Sequence, residues 1–361
     1  MNVVIVRANP RKNGYTQSLT DLFIEGLRQG KAQVSEIDLT TKKINQCLGC
    51  YTCWLTTPGT CVHRDDMASI MKIFTKADIA VFSTPLYIYN ISGYLKVFFD
   101  RLLPYMENKH CATPSKNIRN AIRHPSVWPR KMVYILVGAF RGLHTFAGAK
   151  KTLELFGEGL NLQLCGGLIR PESYLMPFMY LKPKTIHAVK SAFTKAGVEL
   201  VTEGYIKDAT MQQANKPFSE SIEHFIEDSN IYWEEAQTLK EKAKDLDFMS
   251  TVVVQNPKIL LSEMIRHNDP KATARVKARI QFCFTDKNAH FTIIINKGTS
   301  TLEETKTEKP DLCITTRTDI WAKIFLREIS APSALIEKKL ILEGDKSLFS
   351  RFDKYFPLPF D

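Results

Sequence analysis

The first 170 residues alternate between two hydrophobic periods, and that alternation limits what they can fold into. Short apolar, β-branched runs occur at 2–7 (NVVIVR), 33–39 (QVSEIDL), 78–85 (DIAVFSTP), 131–140 (KMVYILVGAF) and 162–169 (LQLCGGLI). Runs of this length and composition read as buried strands. Between them the apolar residues fall at helical spacing. Leu19, Phe23 and Leu27 form one such face, closed by Gly30, and others lie at 67–74, 91–103 and 149–160. Strands alternating with helices require a parallel sheet covered on both faces. Five strands predict a doubly wound order, with ligands bound at the strands' carboxyl ends where that order reverses.

Three segments should meet at that edge. The first, ANPRKNGYTQS at 8–18, joins a strand to a helix. Arg11, backbone amides freed around Gly14, the hydroxyls of Thr16 and Ser18 and the helix N-terminus together suit a phosphate. The loop lacks both the Gly-Lys-Ser/Thr ending and the GxGxxG fingerprint, so it is neither a P-loop nor a dinucleotide turn. The second segment, STPLYIYN at 83–90, sets Tyr87 and Tyr89 beside Pro85, apolar and flat surfaces that suit a heterocycle. The third, GAFRGLHTF at 138–146, allows close backbone approach at Gly138 and Gly142.

A loop of about 25 residues follows the second strand, a length that points to function. It holds CLGCYTCW at 47–54 and then Cys61, four of the eight cysteines, spaced C-x2-C-x2-C-x7-C. Three thiolates at three-residue spacing, with a fourth returning later, fit a [4Fe–4S] cluster. Zinc, and a reduced thiol cluster packed around Trp54, are the other two readings. Cys111, Cys165, Cys283 and Cys313 read as isolated packing residues.

PRKNGYT, CLGCYTCW…GTCVHRDDM and TPLYIYNISGYLKVFFDR in this order resemble the NADPH-dependent FMN reductase group of flavodoxin-like proteins. Within that group the sequence is most similar to the iron–sulfur flavoproteins, over residues 1 to 175. The resemblance implies a flavodoxin-like five-stranded parallel sheet and FMN, with its phosphate on Asn9, Arg11, Asn13, Thr16, Gln17 and Ser18. It implies a flavin ring on Thr84, Pro85, Leu86, Tyr87, Ile88 and Tyr89, with Phe140 and Arg141 closing the third side. It also implies a metal cluster on Cys47, Cys50, Cys53 and Cys61, and a homodimer or larger assembly. Asn9 stands where the family carries serine, and Tyr15 where it carries asparagine. The expected activity is NAD(P)H-dependent reduction of a flavin, quinone or redox-protein acceptor through FMN; the alternative is an FMN/[4Fe–4S] electron carrier working with ferredoxin. No side-chain acid or base is required by that chemistry, and His144 reads as structural.

From Ile186 to about Asp247 the sequence reads as helical, ending in the charged stretch EEAQTLKEKAKDLD. Residues 1–240 are therefore read as the flavin domain with a helical extension, and 250–361 as a separate α+β domain. In the latter, Val276, Ala278, Ile280, Phe282 and Phe284 alternate strictly, as do Phe291, Ile293 and Ile295, with TDKN as the turn of a hairpin. RVKARIQFCFTD, HFTIIINKG, PDLCITTRTDIWAKI and KKLILEGDKSLFSRFDKYF resemble the sterol carrier protein 2 family, which implies an apolar tunnel for a lipid. Phe291, Ile293, Trp321, Phe325, Phe349 and Phe352 are the side chains that would line a tunnel or fill a solid core.

Net charge is +11, but lysine and arginine are scattered, without a basic run or nucleic-acid motif. No apolar run reaches membrane-spanning length, and the N-terminal run is too short for a signal peptide. A reducing cytoplasm is the expected compartment, in which the cysteines stay free.

Overall fold

Strand β1 (Asn2–Arg7) is buried at every residue but the first, as a strand between two neighbours and two helical layers must be. A computed structural model of the chain describes residues 1–176, 183–238, 256–325 and 327–357. Two compact units divide it, Met1–Tyr174 with His187–Phe218, and Leu175–Ile186 with Ser219–Asp361.

In the first unit β1 lies between β2 (Gln33–Asp38) and β3 (Ile79–Pro85), followed outward by β6 (Lys131–Val137) and β7 (Gln163–Arg170). All four pairings are parallel. This is the flavodoxin-like order expected from the sequence, and it reverses direction between β1 and β3. Val4 and Val6 of β1 join one apolar cluster with Phe74 of helix α3 (Met67–Phe74), Phe98 of α4 (Gly93–Asp100) and Leu153 of α5 (Ala147–Gly159). Within it Phe74 meets Phe98 and Trp128 edge-on, at 5.7 and 5.3 Å between ring centres. Helix α1 (Tyr15–Gln29) packs against β2, β3 and β6, burying Leu19, Phe23 and Leu27, the stripe read from the sequence.

Two features were not read from the sequence. A two-stranded hairpin, β4 (Met106–Ala112) with β5 (Ile118–Ile122), leaves the sheet between α4 and β6. MENKHCA carries no apolar alternation, so nothing local announces a strand; the hairpin turn is held from outside, by Glu158 accepting from Thr113 Oγ1 at 2.7 Å and from Asn117 Nδ2 at 3.1 Å. The helical stretch after β7 is also broken, into α6 (Pro183–Thr202), α7 (Asp208–Asn215) and α8 (Ile222–Thr238). Gly204, at φ +82°, turns the chain after α6, and Pro217 precedes α8. Most of the charged tail expected to end this region lies at 239–255, outside the described residues.

In the second unit the sheet runs β10 (Thr299–Glu303), β9 (Ala289–Asn296), β8 (Lys277–Phe284), β11 (Leu312–Thr316), β12 (Leu340–Gly344). The β8–β9 hairpin has the expected register, from Lys277 opposite Asn296 to Phe284 opposite Ala289. β8 and β11 are parallel, the other pairs antiparallel. Phe291, Ile293, Trp321 and Phe325 lie in one buried cluster, with Phe349 and Phe352 packed against it. Trp321 meets Phe282 edge-on at 4.8 Å. Cys283 and Cys313 are not isolated: parallel pairing of β8 and β11 brings their sulfurs to 3.7 Å, a neighbourhood that sequence separation conceals.

Helices α1 and α6 touch through glycines. A Cβ on Gly26 would overlap the Thr194 carbonyl, and one on Gly197 the Phe23 carbonyl, whereas a Cβ on Gly159 would meet nothing within 4 Å. Gly197→Ala should therefore lower stability by about 1–3 kcal/mol through overpacking. Gly159→Ala should leave it unchanged or slightly raised. Urea midpoints of the two variants measure the contrast, and equal midpoints would refute the close crossing.

Candidate functional site

The carboxyl ends of β1 and β3 are joined by one residue. Ser92 Oγ donates to the Ala8 carbonyl at 2.9 Å, and its amide donates to Thr84 Oγ1 at 3.0 Å. Ala8 N donates to the Ser83 carbonyl at 2.9 Å, and the Ser83 and Thr20 hydroxyls share a 2.6 Å hydrogen bond that ties α1 to β3. These groups are buried, so the hydrogen bonds are protected from competing water. The first two predicted segments thus start from a fixed junction.

In the first segment Asn9 is buried, and its amide nitrogen donates to the Arg11 carbonyl and to Gln17 Oε1, both at 3.1 Å. Asn9 therefore braces the loop with its nitrogen, while its Oδ1 is buried without a partner. The first intrahelical bond of α1 runs from Ser18 N to Gly14 O, so the amides of Thr16 and Gln17 lie ahead of the helical ladder. No side chain caps them. Arg11, Asn13 and Ser18 are exposed beside this turn. Lys12 is turned to Asp38 at 2.6 Å; burial raises the Asp38 pKa, but the Lys12 and Thr40 hydrogen bonds outweigh it and hold the carboxyl below its usual range.

In the second segment Thr84 and Pro85 are buried, Leu86 is half-buried, and Tyr87, Ile88 and Tyr89 are exposed. Tyr87 and Asn90 exchange backbone hydrogen bonds at 2.9 and 3.1 Å across a two-residue turn. Ile88 and Tyr89 stand there at φ +46° and +60°, the region that glycine usually supplies. A β-branched residue held so is strained by on the order of 1 kcal/mol or more. Its side chain is 91% exposed. Tyr89 stacks on Phe140 of the third segment, with ring centres 6.2 Å apart and planes 26° apart. Gly148 lets α5 approach this turn, since a Cβ there would sit 2.8 Å from the Tyr89 carbonyl. The third segment is held from below by Glu172, which is fully buried, accepts from Phe218 N and pairs with Arg141 Nε at 3.4 Å. His144 is exposed. All three segments therefore border one edge, an open amide turn beside a wall of Tyr87, Ile88, Tyr89 and Phe140.

The cysteine loop is pinned at both ends. Arg101 and Asp65 form an ion pair at 2.6 Å with both side chains almost wholly buried. Arg101 NH1 also donates to the Asn45 carbonyl, and Asp65 accepts from the Asn45 amide at 2.9 Å, so residues 45 and 65 are clasped together. His63 Nε2 reaches the Gln46 carbonyl at 2.9 Å, and Trp54 Nε1 donates to Leu103 O at 2.9 Å. Cys53 is buried, Cys47 and Cys61 are half-buried, and Cys50 is exposed. The Cys53 thiol is pushed up by burial first, and then by the nearby sulfurs of Cys61, Cys47 and Cys50. The exposed Cys50 thiol is lowered, chiefly by its hydrogen bond from Thr52. Cys61 lies against the Arg101 guanidinium. Among the described residues no three of these sulfurs lie within 4.8 Å of one another.

Asp65, Arg101, Asn45 and Ser92 are structural members of the site that motif reading missed. The signal was an arginine and acids set in apolar surroundings, FFDRLL and HRDDM.

The edge so built is that of a flavodoxin-like protein. Residues 1–157 match the family model of NADPH-dependent FMN reductases, and residues 260–357 match the SCP-2 sterol transfer family; both resemblances read from the motifs are borne out. An iron-sulfur flavoprotein of Archaeoglobus fulgidus is 34% identical over 29% of this chain and 47% of its own length. One from Methanocaldococcus jannaschii is 34% identical over 28% of this chain and 50% of its own. The chain thus spans about half the length of the curated relatives it matches. Among solved structures, an NAD(P)H:quinone oxidoreductase from Methanothermobacter marburgensis is 17% identical, covering 55% of this chain and 96% of that one at a TM-score of 0.43.

Burial raises the Asp65 pKa, but the Arg101, Asn45 and Met67 hydrogen bonds outweigh it and bring it down to about 2. A carboxyl depressed on folding stabilises the fold above its unfolded value near 3.9, and that stability is lost as pH falls toward 2. The shift corresponds to about 2 kcal/mol. Asp65→Asn should remove this acid dependence and cost about 3–5 kcal/mol at neutral pH by leaving Arg101 buried and unpaired. Denaturant melts at pH 7 and pH 3 test both; a wild-type-like pH slope in the variant would contradict the assignment.

Proposed function

We propose that the first unit is an NAD(P)H-dependent FMN oxidoreductase that reduces a flavin, a quinone or a redox protein. The observation that carries this reading is the meeting of the uncapped α1 turn with the Tyr87–Tyr89 and Phe140 wall at one sheet edge. FMN fits the groups present, with an anion-binding turn at one end and flat apolar surfaces at the other. Bound FMN would supply hydride acceptance from a nicotinamide and electron release to a second acceptor. Arg11 and the amides of Thr16 and Gln17 hold the phosphate, with Asn13 and Ser18 at its rim. The unpartnered Asn9 Oδ1 is an acceptor, so it suits a ligand hydroxyl better than a phosphate oxygen. Thr84, Pro85 and Leu86 floor the ring site, Tyr87, Ile88 and Tyr89 wall it, and Phe140 and Arg141 close it. The exposed aromatic turn is completed by a second copy of the chain, giving a homodimer. The second unit, within 250–361, holds a lipid through the aromatic cluster around Trp321, as its family match suggests.

A second reading has its own support: an FMN/[4Fe–4S] electron carrier working with ferredoxin. Its ground is the pinned loop that gathers Cys47, Cys50, Cys53 and Cys61, and the iron-sulfur flavoprotein relatives. A cluster there would supply one-electron transfer. The compact C-x2-C-x2-C-x7-C order of the cysteines favours it over zinc.

Arg11→Ala should weaken FMN by about 1.5–3 kcal/mol, the cost of a charge-assisted hydrogen bond. Fluorescence titration of apo-protein reads this, and unchanged affinity would move the phosphate elsewhere. Stopped-flow bleaching by NADPH and by reduced ferredoxin separates the enzyme from the carrier. For the cluster, protein purified without oxygen should contain iron as well as FMN, and Cys50→Ser should lose the iron and keep the FMN. Wild-type protein with full FMN and no iron would leave the loop as a packed thiol cluster.

A further inference from the structure

Two helices of the second unit bring imidazole and carboxylate groups together. His224 and Asp228 lie four apart on α8, and Glu263 lies on α9 (Pro257–Arg266), followed by His267. One donor atom from each of His224, Asp228 and Glu263 lies within 4.8 Å of the other two. His224 Nε2 is 3.0 Å from Asp228 Oδ2 and 3.6 Å from Glu263 Oε2, with the three side chains 13%, 16% and 14% exposed. A tetrahedral ion bound at about 2.0–2.2 Å sets its ligand atoms roughly 3.3–3.6 Å apart, so the separation from Glu263 already fits and that from Asp228 has to open by a few tenths of an ångström. His267 Nε2 stands 3.2 Å from Glu263 Oε1, the position of a group that orients a ligating carboxylate.

Arg266 occupies the middle of this group. Its NH1 lies 2.7 Å from His224 Nε2 and 2.8 Å from Glu263, and its NH2 lies 2.7 Å from Asp228 and 3.0 Å from the exposed Glu227. His224 Nε2 cannot satisfy both of its neighbours. With a proton it donates to Asp228 and meets an Arg266 N–H donor to donor. Without one it accepts from Arg266 and meets the Asp228 oxygen lone pair to lone pair.

We propose that His224, Asp228 and Glu263 form a site for a first-row divalent cation of the zinc class, with Arg266 as the resident cation that moves to Glu227 when metal binds. Imidazole with two carboxylates is a borderline N/O donor set, which suits zinc, cobalt or iron(II) better than calcium or magnesium. On binding, the metal takes the Nε2 lone pair and replaces the guanidinium on both carboxylates, so the donor conflict is removed.

Cobalt(II) added to the full-length protein tests this, because a thiolate ligand gives an intense charge-transfer band and an N/O site does not. The expected result is one bound cobalt without that band, retained in Cys50→Ser and weakened at least tenfold in His224→Gln and in Asp228→Asn. Arg266→Gln should tighten cobalt at least tenfold, an outcome that an ion-pair clamp between two helices does not produce. Should circular dichroism show Arg266→Gln unfolded, the two ligand variants decide alone. Cobalt bound only with the thiolate band, or with equal affinity in both ligand variants, overturns the proposal, as does unchanged or weaker binding in a folded Arg266→Gln.

Discussion

The site depends on the junction that Ser92 makes between the ends of β1 and β3. Both strands terminate in backbone groups that must find partners once covered by helices, because a buried carbonyl or amide left alone costs about 1–3 kcal/mol. One serine satisfies the Ala8 carbonyl and, through its amide, Thr84. The two loops leaving those strands thereby start from fixed positions. The α1 turn and the Tyr87–Asn90 turn therefore leave the sheet from neighbouring strand ends.

The cysteine loop obeys a different constraint. It is long, and its large apolar side chains Leu48, Tyr51, Leu55 and Val62 are exposed rather than packed into a core. It is held by a buried charge pair. Arg101 directly follows the apolar helix α4 and Asp65 lies at the loop's far end, and Asn45 at the near end completes the clasp. Such a pair adds little stability against an apolar replacement, because both charges have lost their water. Its value is positional: either partner alone would be a buried uncompensated charge, so the loop has one closed arrangement and the thiols gather there. The strained Ile88–Tyr89 turn, supported by Gly148 and the Phe140 stack, is a local cost of the same kind.

In the second unit the sheet is built from alternation, while its helices meet through charge. Arg266, Asp228, Glu263 and His224 are too closely set to be independent, and their hydrogen-bond demands do not close among themselves. A set of that kind is where local chemistry and global fold disagree, and such disagreements gather at functional sites.

The sequence by itself determined the five parallel strands, the α1 stripe, the β8–β9 hairpin and the loops that carry the candidate site, because each rests on a period or a turn that neighbouring residues define. The turn before α1 and the tyrosine turn were legible for the same reason. Only the tertiary structure decided the strand pairing that brings Cys283 to Cys313, the Arg101–Asp65 clasp and the His224–Glu263 meeting. In each case the partners lie at least 30 residues apart and no local pattern links them. The β4–β5 hairpin was hidden too, since its polar strands are held by Glu158 from α5. Periodicity records which face of an element is buried, whereas contacts between charges and thiols record which elements become neighbours, and that is settled only when the chain closes on itself.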